Sequence, residues 1–97
     1  MVTTPAIQQE ALYKIAVTPN PVVSSTTVWI GMQKEGIVRL ELFDISGRLL
    51  LSKQQQLLTG NHKLPLEIVG QSGVTGGMYL LQVTTPFEKK TIKLLVK

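Results

Sequence analysis

Ninety-seven residues with 43% hydrophobic and 16% charged side chains fit one compact domain with a real core and exclude a disordered tail. The chain has no cysteine, which removes disulfide frameworks and thiolate metal sites and leaves compartment unread from redox chemistry. The formal net charge of +4 leaves nucleic acid, an anionic membrane surface or an acidic protein open as partners, although charge of this size more often just keeps a small domain soluble.

Met1 to Leu12 mix Thr, Pro, Ala and Gln without a sustained period and read as a linker, with the folded domain expected over 13–97. No apolar run approaches the roughly 18 residues of a membrane span, and the basic-then-apolar layout of a secretory signal is missing; no membrane insertion is expected. From Tyr13 onward, short apolar runs alternate with turn residues. The expected strands are Tyr13 to Val17, Thr26 to Ile30, Ile37 to Asp44, Leu49 to Lys53, His62 to Ile68, Met78 to Thr84 and Thr91 to Val96. That number and spacing predict an all-β, immunoglobulin-like antiparallel sandwich.

Pro19-Asn20-Pro21 removes two backbone donors and pushes Thr18 and Asn20 into extended geometry, so a sheet cannot run through it. It reads as a strand switch or a blunted edge, with a rigid recognition element as the sharper reading. In Ile37 to Asp44, Val38, Leu40 and Leu42 alternate with Arg39, Glu41 and Phe43, which gives one buried and one wet face. Asp44-Ile45-Ser46-Gly47 then places a side-chain acceptor at the start of a tight turn and a residue suited to positive φ at its end. Asp44 therefore reads as a turn former. Leu49 to Leu58 has helix-forming residues, but the preceding turn and the β-like neighbours favour a strand.

Gly76-Gly77 permits a sharp entry into Met78 to Thr84, where Tyr79, Leu81 and Val83 share one side. A turn at Thr85-Pro86-Phe87-Glu88 would make the last twenty residues a hairpin. Its second strand puts Ile92, Leu94 and Val96 inward and Thr91, Lys93, Leu95 and Lys97 outward, so the end of the sequence is expected to belong to the folded body. Lys89, Lys90, Lys93 and Lys97 concentrate charge there. They read either as guards against edge-to-edge pairing or as a docking surface for an acidic receptor.

The residues of a reactive centre are not assembled. His62 is the only histidine, so a nucleophile and base pair or a zinc site lacks its other members, and no metal or cofactor is expected. Glu41 and Asp44 are an odd number of residues apart, which points them to opposite faces, unlike the paired carboxylates of a glycosidase. Gly70-Gln71-Ser72-Gly73 spells the GxxG of some RNA-binding loops without the flanking helices, and neither a phosphate loop nor an aromatic platform is present. An enzyme and a nucleic-acid partner are both disfavoured. Trp29, on the face opposite Val28 and Ile30, is the best candidate for a glycan or protein contact if the domain is an ancillary binding module, though as a lone ring.

The order Pro19-Asn20-Pro21, then Gly36 through Asp44-Ile45-Ser46-Gly47-Arg48, then Gly77-Met78-Tyr79-Leu80-Leu81-Gln82-Val83, then a Lys-ended apolar strand, resembles the C-terminal sorting domain (type A) of type IX, or Por, secretion substrates of Bacteroidota. The resemblance implies an immunoglobulin-like fold and a non-catalytic address that sends cargo, gingipain-like proteases included, from the periplasm across the outer membrane. It also implies, as partners, an outer-membrane translocon and a sortase-like peptidase that often removes the domain before the cargo is attached to the cell surface. Gly77, Tyr79, Lys93 and Lys97 match the parts tied to recognition; Pro19, Asn20, Pro21, Asp44, Gly47 and Arg48 match the structural motifs. Open edge strands leave a homodimer conceivable.

Overall fold

In the computed structural model the described residues are 12–68, 70 and 73–97; the expected linker up to Ala11, and Gln71 and Ser72 of the GxxG spelling, lie outside them. Seven strands form: β1 (Ala16–Thr18), β2 (Ser25–Met32), β3 (Gly36–Asp44), β4 (Leu49–Leu57), β5 (Gly60–Glu67), β6 (Gly77–Thr84) and β7 (Lys89–Val96). They make a three-stranded sheet in the order β1-β2-β5 and a four-stranded sheet in the order β4-β3-β6-β7, every named pairing being antiparallel. The expected all-β sandwich is the observed fold.

Period-2 alternation explains the layers. Thr26, Val28, Ile30 and Met32 of β2 turn inward and meet Val38, Leu40 and Leu42 of β3, Tyr79, Leu81 and Val83 of β6, and Leu94 and Val96 of β7 in one buried cluster. Each such aliphatic side chain contributes about 1.5–3 kcal/mol by leaving water. Thr26 is polar, and its hydroxyl donates to the Pro19 carbonyl oxygen at 2.9 Å, so its burial leaves no unmet donor.

The strand limits differ from the expected ones where hydrophobic period is a poor guide. β4 runs on to Leu57 because Gln54, Gln55 and Gln56 pair with Arg39, Val38 and Ile37, backbone pairing at a sheet edge requiring no apolar side chain. β1 is only Ala16–Thr18. Before it, Leu12 and Tyr13 cross the outside of β2 at Gly31, where a Cβ would lie 2.6 Å from the Tyr13 nitrogen and oxygen, so only glycine lets the chain pass this close. The Tyr13 N–H donates to Asn61 Oδ1 at 2.8 Å and its ring meets Trp29 edge-on at 5.5 Å.

Pro19-Asn20-Pro21, with both X–Pro bonds cis, carries the chain from the first sheet to the second. Val22 then forms a parallel bridge with Val96, its N–H donating to Leu95 O at 2.7 Å and its carbonyl oxygen accepting from Lys97 N at 2.9 Å.

Candidate functional site

The hairpin of β6 and β7 brings the residues singled out for recognition together, in two different roles. Gly77 has φ of +147°, a conformation that side chains avoid, and it opens β6 beside the end of β7, paired with Val96. Tyr79 is 5% exposed and faces the core. Its hydroxyl accepts from Thr75 N at 2.8 Å and donates to Thr75 O at 2.6 Å, closing the bend before β6 in the manner of the tyrosine corner of β-sandwiches. At the other end, the Thr85 hydroxyl accepts from the N–H groups of Phe87 and Glu88, both at 3.1 Å, and fixes the turn into β7.

Lys93 and Lys97 are exposed and point away from the core. Lys90 is separated from them: it pairs with inward-facing Val83 and its ammonium donates to the Ile15 carbonyl oxygen at 3.1 Å, tying the two sheets. The outer edge of β7 is already occupied. The Asn20 carboxamide donates to Lys93 O at 2.8 Å and accepts from Leu95 N at 3.1 Å, and Val22 takes Leu95 O and Lys97 N. From Lys93 to Lys97 the strand has neighbours on both sides, so the open edges of the four-stranded sheet are β4 and the first half of β7.

Sequence reasoning missed the company those lysines keep. On the outer face, Phe43 of β3 lies opposite Leu80 of β6, which lies opposite Lys93 of β7, and the next outward pair is Met78 with Leu95. Met78 is 45% and Leu95 39% exposed. The signal was present: positions of outward parity in Met78 to Leu80 and at Leu95 are apolar, whereas the next rows, Glu41-Gln82-Thr91 and Arg39-Thr84-Lys89, are polar as a wet face should be.

The turn after β3 keeps to its structural role. Asp44 Oδ1 accepts from Ser46 N at 3.0 Å, Ser46 Oγ at 2.6 Å and Arg48 N at 2.9 Å, Oδ2 lies 3.4 Å from Arg48 Nε, and Gly47 has φ of +92°. Chiefly the Ser46 hydroxyl, and after it the Arg48 N–H, hold the Asp44 carboxyl below the usual aspartate value. Elsewhere, His62 Nε2 lies 2.7 Å from the Leu58 carbonyl oxygen, and among the described residues no three His, Cys, Asp or Glu side chains gather as metal ligands. Trp29 is not a lone ring. Lys63 Nζ sits 4.9 Å from its centroid, Tyr13 meets its edge and its Nε1 donates to Thr18 Oγ1 at 2.7 Å. A cavity of about 280 Å³ opens between β4 and β5, reaching Val38, Leu40 and Leu64 past Lys53 and Lys63, with no acid and base pair in its lining.

Comparison with known proteins decides what the hairpin belongs to. The profile of the secretion system C-terminal sorting domain family matches residues 16–97, every strand of the sandwich included. The chain belongs to this family. The sorting domain is thus a secretion signal of the type IX system, and its destination is the cell surface or the medium beyond the outer membrane. The family is one of sorting signals, non-catalytic in general. The sorting domain also resembles in fold part of a solved structure, dimeric latent PorU from Porphyromonas gingivalis, with a TM-score of 0.65 and 22% identity over 84% of this chain. It spans 9% of that protein's length, and the likeness concerns the fold alone. Comparison with curated proteins found no match.

Proposed function

We propose that the β6–β7 hairpin is the part of this sorting domain that the secretion machinery reads, with Lys93 and Lys97 making the contact and Gly77 and Tyr79 holding the hairpin in shape. The observation that carries this reading is the closed edge of β7. Lysines on a last strand are well explained as guards of an unpaired edge, but from Lys93 to Lys97 the edge is filled by Asn20 and Val22 and leaves nothing to guard. Two cations held outward on a rigid strand suit an acidic receptor of the translocon.

On this reading the domain works without catalysis. The chain before Tyr13 is the linker to the cargo, in which a sortase-like peptidase cuts before the cargo is attached at the surface. Any homodimer formed through strand edges avoids the closed Lys93–Lys97 half of the last strand.

The test fuses residues 13–97 to a periplasmic reporter in a type IX-competent host and compares it with Lys93→Ala plus Lys97→Ala. Both changes are on exposed side chains and should cost within about 0.5 kcal/mol each. Export falls in the double variant while its thermal midpoint stays within a few degrees of the parent. Equal export by a folded double variant sinks the role of the lysines.

A further inference from the structure

Resting on the reading of the hairpin as the recognised label, we infer that the docking surface is the apolar stripe beside it, Phe43, Met78, Leu80 and Leu95, and that its occupant is a protein surface with apolar side chains framed by carboxylates. An antiparallel sheet with one free face normally presents polar side chains there. Here the rows nearest the Asp44 turn break that rule while the next two keep it; past those only Ile37 is apolar and exposed, so the apolar residues by the turn form one patch. Phe43 and Leu80 are half-buried and Met78 and Leu95 exposed, which gives a flat apolar centre on a rigid sheet, the layout of an interface core with a polar rim.

The rim chooses the partner. Lys93 on β7 and Lys97 just past its end border the stripe on one side, and Glu41 borders it on β3, one row away. A partner must therefore offer carboxylates on one side and a donor on the other, a mosaic that a folded protein can carry and a uniformly anionic lipid surface cannot. A second copy of the chain would bring a net +4 against +4. The lysines set encounter rate and orientation, and the stripe supplies most of the affinity.

The decisive variant is Met78→Ser with Leu95→Ser, a directly paired, outward-facing couple. Its control is Gln82→Ala with Thr91→Ala, the paired couple on the polar row of the same face. In the reporter fusion, the apolar variant should lower export by about tenfold or more, the loss expected of interface-centre residues, while the control exports like the parent and both keep the parent's amide-exchange protection. Undiminished export by the apolar variant overturns the stripe and leaves the address reading standing; a parent fusion that is itself not exported overturns both. Sedimentation of the parent domain with phosphatidylglycerol vesicles, lost in the apolar variant, overturns the protein occupant in favour of lipid. A parent dimer in solution that the same variant dissolves overturns it in favour of a second copy.

Discussion

Replacing Asn20 with alanine should loosen the last strand without touching the core. The side chain occupies the place of a missing neighbour strand, donating to Lys93 O at 2.8 Å and accepting from Leu95 N at 3.1 Å. Each hydrogen bond is worth about 0.5–1.5 kcal/mol net, and at this exposed rim water takes over part of the loss, so Asn20→Ala should cost about 1–2 kcal/mol. In a domain of this length that lowers the thermal midpoint by roughly 5–15 °C. Melting followed by circular dichroism reads the total, and amide exchange reads the place. The Leu95 N–H should lose protection most, the Lys97 N–H less because Val22 still accepts it, and the amides of β3 only as far as global stability falls. Unchanged exchange at Leu95, with the midpoint unmoved, would refute the idea that this carboxamide closes the edge.

Three further outcomes follow from the same geometry. Tyr79→Phe leaves Thr75 N–H and C=O without their partner and should cost about 1–3 kcal/mol, read as a lower midpoint together with faster proteolysis around Thr75. Gly31→Ala sets a methyl group 2.6 Å from the Tyr13 backbone and should lift that segment off the sheet, changing Trp29 fluorescence and exposing the bond after Lys14 to trypsin while the remaining strands keep their exchange protection. Asp44 titrates lower folded than unfolded, so its contribution is fully present above its ordinary value of 3.8 and is lost as pH falls through the lowered one; the gap in midpoint between parent and Asp44→Asn should be widest near neutral pH and shrink in strong acid.

Much of the sandwich was legible because β3, β6 and β7 alternate cleanly, and parity alone assigns Val38, Leu81 and Leu94 inward and Lys93 outward. The Asp44-Ile45-Ser46-Gly47 turn was readable for the same local reason: its acceptor and its positive-φ residue lie within one turn. The second half of β4 was not, since Gln54 to Gln56 carry no period and their pairing depends on β3. Parity also put Tyr79 on the side of Leu81 and Val83, though not its hydroxyl on Thr75, and sequence could not tell that Asn20 reaches β7, because that contact joins segments 73 residues apart. The apolar stripe lay in plain view as outward parity broken at Met78, Leu80 and Leu95, yet only register sets these beside Phe43.

The meeting of Asn20 and Val22 with β7 also sets an order of events. Contacts 73 and 75 residues apart form only when nearly the whole domain is available, and such distant partners are slow to find each other. A chain emerging residue by residue can build its middle strands early, yet it lacks the shape of a finished label until residues 93 to 97 settle against the bend at Asn20. A machine that recognises the finished shape would thereby pass over copies of this domain in which the latch has not closed.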